Sequence, residues 1–265
     1  MPFSTSLMLT SSFIFLKGIG ETTERTLWHE GITSWDRFLD CQEIFRFSSA
    51  RKIQFDHELR LAQSHLGNHN SAFFARLFKA RDHWRLYDTF RHNTAYLDIE
   101  TNGIPLPYGV ITVVGIFGRG RMTTLTQGDT LTSTRLREEL EGYDLLVTFF
   151  GSGFDLPFLQ AKFPTLSLVQ PYFDLCFAAR RLGLKGGLKA IEKELDCPRS
   201  PELDGLSGLD AVRLWEEWQN GQEAAGDLLI LYNQADTQNL EFVANTIYDR
   251  MLQQFGPSTL YNVVQ

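Results

Sequence analysis

The chain has 265 residues, is 43% hydrophobic and 22% charged, and carries a formal net charge of −7. That balance excludes a disordered chain, a collagen-like repeat and a multi-span membrane protein. Three cysteines, none at CxxC spacing, exclude a disulfide framework and a structural zinc site, and they fit a reducing, cytoplasmic compartment. The charge is uneven. Residues 1–97 hold 12 Lys and Arg against 10 Asp and Glu, and the remainder holds 13 against 22. A net-acidic protein lacks the bulk field of a nonspecific DNA coat, yet clustered carboxylates offset by metal ions still permit local contact with nucleic acid. All six histidines precede residue 93, so chemistry beyond that point must proceed without imidazole.

The N-terminal stretch MPFSTSLMLTSSFIFLKG lacks a basic start and a continuous apolar centre, so neither a signal peptide nor a spanning helix is expected. Gly18 and Gly20 predict a tight turn. Thr22 or Thr23 is expected to cap a short helix carrying Leu27 and Trp28 and ended by Gly31. Ser34 is expected to cap the next, with Trp35, Phe38 and Leu39 on its apolar side. Residues 48–91 lack strand alternation and read as helices over 54–66 and 70–80, followed by the bridging segment HWRLYDTFR. His65 and His69 have a metal-ligand spacing, but Gly67 and Asn68 interrupt the helix between them, and they read as solvated helix-end residues.

At residue 94 the texture changes. TAYLDIET and YGVITVVGIFG predict two strands, with a hairpin at Gly118-Arg119-Gly120 leading into RMTTLT. Residues 132–141 read as a helix. YDLLVTFF is a near-continuous apolar run, expected to be a central strand buried on both faces. FDLPFLQAKF starts a helix with Pro157 in its first turn. PYFDLCFAARRLG leads into another, and LKAIEKELD, LDAVRLWEEWQNG and the stretch from Glu223 to about residue 254 are helical. The expected architecture is α/β, a mixed sheet flanked by helices with a small helical N-terminal region. The expected division is residues 1–92 and 93–265.

Three segments place acids where they can converge. Strand side chains alternate, so Asp98 and Glu100 point to one face and Ile99 to the other. Asp155 follows a buried strand, with Gly151 and Gly153 permitting a sharp turn before it; taken alone, it reads as a carboxylate that satisfies free helix amides. Tyr232 and Asp236 are four apart on one helix and share a face, beside the apolar Leu228, Leu229, Leu231, Leu240 and Val243. An aspartate beside such a stripe needs a partner, and an arginine salt bridge is the plain structural alternative. Four carboxylates suit a pair of hard divalent cations, because Mg2+ and Mn2+ prefer oxygen ligands. Two such ions about 3.5–4 Å apart support in-line displacement at phosphorus without histidine.

In their order along the chain, LDIET, FFGSGFDLPFL and YNQADTQNL resemble the three motifs of the DEDD 3′–5′ exonucleases of the ribonuclease H-like superfamily. Tyr232, four residues before Asp236, resembles the tyrosine branch of that group. The HWRLY segment at 83–87, and Asp174-Leu175, Arg180-Arg181 and Leu188-Lys189 after the second motif, resemble predicted prokaryotic exonucleases with a single such domain. The resemblance covers roughly residues 83–250. It implies that Asp98, Glu100, Asp155 and Asp236 hold two Mg2+ or Mn2+ ions, with Asp98 bridging both, and that Tyr232 positions the attacking water. It also implies release of nucleoside 5′-monophosphates from the 3′ end of a single strand. One departure stands out: Phe150-Gly151 replaces the family's Asn-Gly. Phe150 is expected either to complete the buried strand or to offer a stacking face for a base.

LKGIGETTERTLWHEG resembles a helix-hairpin-helix element, in which Gly18 and Gly20 would offer backbone amides to a phosphate. A small helical cap packed through Ile19, Leu27, Trp28 and Trp35 explains the same residues. This element tilts the expected substrate toward DNA over RNA. Arg180, Arg181, Lys185 and Lys189 are expected to line the path of the strand, and Arg76, Lys79, Arg81 and Arg85 form either a basic edge or a solvated helix face. A structure-specific endonuclease and a non-catalytic nucleic-acid-binding scaffold are the competing readings. Nothing in the chain determines an oligomeric state, and no membrane partner is expected.

Overall fold

The structure is a computed structural model that describes residues 7–263; the first six residues of the N-terminal stretch read above lie outside it. The described residues begin with five helices, α1 (Leu7–Thr10), α2 (Glu21–His29), α3 (Trp35–Asp40), α4 (Ser49–Gly67) and α5 (Ser71–Leu77). A 3-10 segment, Ala80–Leu86, and the short α6 (Tyr87–Phe90) bridge to the sheet. The local rules hold at α3, where the Ser34 side chain accepts from the Arg37 amide. Elsewhere they misplace boundaries. α2 is capped by Gly20 rather than Thr22 or Thr23, which fall inside its first turn. α4 begins at Ser49 rather than at 54, because Ser48 accepts from the Arg51 amide. α5 ends at Leu77, three residues short of the expected 80.

Five strands follow: β1 (Thr94–Thr101), β2 (Ile111–Gly118), β3 (Arg121–Thr126), β4 (Leu145–Thr148) and β5 (Tyr172–Asp174), ordered β3-β2-β1-β4-β5. β1–β3 are antiparallel, whereas β1, β4 and β5 run parallel. The β2–β3 hairpin turns through Arg119 and Gly120, both at positive φ, as a two-residue loop requires. The helices of this half are α7 (Ser133–Leu140), α8 (Asp155–Lys162), α9 (Leu175–Arg181), α10 (Leu188–Glu194), α11 (Gly208–Gln219) and α12 (Glu223–Phe255). This is the expected mixed sheet flanked by helices with a helical N-terminal region.

The strand period sorts β1 between two cores. Ala95, Leu97 and Ile99 pack with α7 and α8 on one face, through Leu136, Leu140, Leu156 and Leu159. Tyr96 faces the other way, into a cluster that joins the N-terminal helices (Leu9, Phe13, Leu27, Trp35, Phe55) to Leu240, Val243 and Ile247 of α12. A third cluster gathers Leu214 of α11, Leu229 and Tyr232 of α12, and Val113 of β2. Between the last two clusters the buried stripe of α12 turns polar at Asn233, Asp236 and Thr237. Asp98 and Glu100, on the same face of β1 as Tyr96, project into that polar gap.

Several polar residues of the N-terminal half are structural. Arg85 is buried and donates to both carboxylate oxygens of Glu24, which also accepts from the amides of Phe13 and Ile14. Arg85 is therefore no part of a basic edge. Buried His83 takes the Tyr172 amide on Nδ1, so Nε2 carries the proton and donates to the Ala75 carbonyl. Burial pushes its pKa down, which keeps the ring neutral. His65 is not simply solvated: it stacks on Phe73 at 3.8 Å and bonds Asn70. Ile19, Leu27 and Trp35 enter the large core, and Trp28 packs against it. Gly18 has φ +81, and the carbonyl before it, on Lys17, accepts from the Arg51 guanidinium. Among the described residues, no helix is long and apolar enough to cross a membrane.

Candidate metal centre

Single carboxylate oxygens of Asp98, Glu100 and Asp236 lie within 4.8 Å of one another. β1 supplies the first two through its two-residue period, and α12 supplies the third from the middle of its buried stripe. The close approach of α12 depends on Gly115, which pairs with Asp98 across the β1–β2 ladder. A Cβ there would fall on the side chains of Thr237 and Asn233. Asn233 uses the space to donate to Asp98 Oδ2 at 3.0 Å.

Asp155 joins the group by a different route. β4 ends at Thr148, so β1 beyond Tyr96 has no partner strand on that side. The Ile99 amide is satisfied instead by Asp155 Oδ1, 3.1 Å away. The carboxylate thus bonds the central strand and not only its own helix. Its charge also acts on Asp98 and Glu100, so the four acids form one electrostatic unit.

That unit is under strain from its own charge. Burial pushes Asp98 well above the usual carboxylate range, reinforced by Glu100, Asp155 and Asp236. Burial and Asp236 raise Glu100 to about 8, and burial raises Asp155 to about 7. Two cations offset part of this. Lys189, at the start of α10, contacts Asp236, and Arg199 reaches the same oxygen at 2.8 Å while holding buried Glu192 at 3.0 Å. The Lys189 ammonium sits 4.2 Å from the Tyr232 ring centroid. Tyr232 is buried, and burial plus the nearby carboxylates raise its pKa, so the phenol stays protonated at neutral pH.

The structure therefore brings Asp98, Glu100 and Asp236 together, with Asp155 and Tyr232 bordering them. It treats the expected strand-path residues unequally. Lys189 turns inward onto Asp236, and Arg181 is tied to Glu21, Asp82 and the Arg81 carbonyl, whereas Arg180 and Lys185 remain exposed. Phe150 does not complete β4. The strand stops two residues earlier, and Phe150 takes φ +62 with its side chain 42% exposed. Leu231, counted with the apolar stripe, faces outward on α12. Asn233 and Arg199 escaped the sequence reading. Asn233 could have been noticed beside Tyr232 in the third motif, but Arg199 lies in a loop with no periodic or motif signal.

The donor set is all oxygen and, once ionised, its four carboxylates exceed the charge that Lys189 and Arg199 neutralise, which fits hard divalent cations such as Mg2+ or Mn2+. No curated protein and no solved structure matches the chain. A family model described as RNase_H superfamily (RNase_H_2) matches residues 95–248, from the second residue of β1 to the last third of α12. This span contains all four acids and Tyr232, and with the mixed sheet it supports a nuclease-type, metal-dependent function on nucleic acid. The chain belongs to the RNase H superfamily.

Proposed function

We propose that the protein is a metal-dependent 3′–5′ exonuclease of the DEDD tyrosine branch that acts on single-stranded nucleic acid, DNA in preference to RNA. Residues 93–265 form its nuclease domain and residues 1–92 a helical accessory region. The observation that carries this reading is the meeting of Asp236, one turn after Tyr232 on α12, with Asp98 and Glu100 of β1 inside a 4.8 Å set. Asp98, Glu100, Asp155 and Asp236 would hold two Mg2+ or Mn2+ ions. When bound, these ions supply Lewis acidity for water and charge neutralisation at the scissile phosphate.

The chain's own groups do the rest. Neutral Tyr232 offers a hydroxyl beside the carboxylates that orients the attacking water; its raised pKa rules it out as the base. Asn233 fixes the rotamer of Asp98, and Asp155 fixes its own position by bonding the Ile99 amide. Arg199 holds Asp236 and braces it through Glu192, which also accepts from Asn239. Lys189 faces the acids and would present its ammonium to an incoming phosphate. The displacement would break the terminal P–O3′ bond: the water's hydroxyl joins the phosphorus of the released nucleoside 5′-monophosphate, and the water's other proton goes to the departing 3′ oxygen of the shortened strand.

The test is a gel assay on DNA and RNA oligonucleotides labelled at either end, run in EDTA, Mg2+ or Mn2+, with Asp98→Ala as control. A descending ladder from the 5′ label and immediate mononucleotide from the 3′ label are expected, with Asp98→Ala silent. Internal fragments from structured substrates would establish an endonuclease instead. Absence of metal-dependent cleavage of every substrate, with binding retained, would establish a scaffold.

A further inference from the structure

Between the N-terminal region and α9 lies a cavity of about 590 Å3, lined in part by Arg81, Trp84, Ser152, Phe177, Arg180 and Arg181. Two exposed rings stand close by: Phe150 and Phe177, each 42% exposed, lie 6.0 Å apart between centroids. The Arg180 guanidinium sits 5.5 Å from the Phe177 ring on the same short helix. Phe150, Phe177 and Arg180 thus form a ladder of flat groups at the surface, its two rings tilted 42° to each other, and Arg180 pairs with no carboxylate among the described residues.

The backbone holds this ladder firmly. A bulky residue at φ +62 is unusual and persists only where its surroundings over-determine it. Asp174 does so: it accepts from the Phe150 amide at 2.9 Å, from the Ser152 amide at 3.1 Å and from the Ser152 hydroxyl at 2.6 Å, while capping α9 through the Cys176 amide. One carboxylate therefore locks the turn that carries Phe150 to the helix that carries Phe177 and Arg180. The same turn runs on through Gly153 and Phe154 into Asp155, so the ladder is five residues from the acidic centre.

We propose that Phe150, Phe177 and Arg180 are a stacking shelf that grips unpaired bases of a nucleic-acid strand outside the acidic centre and thereby selects single strands. The strand's destination rests on the nuclease reading above; the shelf's grip does not. Rings and a guanidinium plane accept any base through its π-face, and paired bases in a duplex offer no such face along the strand. Arg81 and Arg181 in the cavity beside the shelf are balanced by Glu21 and Asp82, so the unpaired Arg180 is the cation this wall offers to a phosphate.

The test measures binding by fluorescence polarisation in EDTA, where no cleavage occurs. A labelled 12-residue oligothymidylate is compared with an abasic strand of equal length. The native protein is expected to prefer the base-bearing strand by about tenfold or more, the scale of one or two stacked bases. Phe177→Ala and Phe150→Asn should each remove most of that preference. Arg180→Ala should weaken both strands and lower the salt slope by about one. Equal affinity of the native protein for the two strands, no binding of either, or a preference that survives both ring substitutions would overturn the shelf. The labelled-end cleavage assay is read separately: discrimination without cleavage removes the nuclease reading and keeps the shelf, and cleavage without discrimination does the reverse.

Discussion

Replacing Asp98 by asparagine should make the metal-free protein more stable, and the gain should grow with pH. The substitution keeps the shape of the side chain and an oxygen for the Asn233 amide, but removes one of three charges converging within 4.8 Å. At that separation a like-charge pair costs about 3 kcal/mol at an effective dielectric of 20. Asp98 has two such neighbours, and Lys189 and Arg199 offset part of the repulsion from the Asp236 side. A net gain of about 2–4 kcal/mol is expected at pH 8.5, a rise of roughly 5–10 °C in melting temperature for a chain of this size. The sign follows from linkage. Asp98 is raised well above its ordinary value, Glu100 to about 8 and Asp155 to about 7, so the folded protein keeps protons that the unfolded chain has released. Native stability therefore falls as pH rises from the ordinary carboxylate range through about 8, and Asp98→Asn recovers part of that loss. Urea unfolding of both proteins in EDTA at pH 5 and 8.5 measures it. A gain no larger at pH 8.5 than at pH 5, or a destabilised variant, would refute the electrostatic account. Mn2+ should raise the native melting temperature and have much less effect on the variant.

Three further outcomes follow from named contacts. Glu24→Gln leaves Arg85 charged and buried without its counter-ion and should cost about 3–5 kcal/mol in urea unfolding; an unchanged midpoint would mean that the pair is solvated. Gly115→Ala drives a methyl into Thr237 and Asn233, so a loss of about 1–3 kcal/mol is expected, with weaker Mn2+ binding by calorimetric titration; native affinity and stability together would show that α12 can move away freely. Phe150→Asn places a residue tolerant of positive φ at a strained position and should raise stability by about 1 kcal/mol while weakening strand binding; a drop in stability would mean that the ring packs more than it strains.

The parts of the site that were legible in the sequence are those governed by short periods. The two-residue strand period puts Asp98 and Glu100 on one face, and the helical period puts Tyr232 above Asp236; both depend only on neighbouring backbone. The Arg119-Gly120 hairpin and the Ser34 cap are equally local. What crosses the chain was not legible. Lys189 and Asp236 are 47 positions apart, and Asn233 and Asp98 are 135 apart, so no window on the sequence contains both partners. Arg85 looked like one more surface arginine because nothing near it announces Glu24, 61 positions earlier. Phe150 was misread for the converse reason. Its apolar run favours a strand, but Asp174, folded back from β5, takes the Phe150 amide and turns the chain outward. Which side chains share a face of one strand or one helix was thus set by the sequence alone. Which charges are paired, which are left in repulsion and which rings face solvent were decided only when α12 and β5 closed against the central strands, because burial and Coulomb energy depend on distance in space.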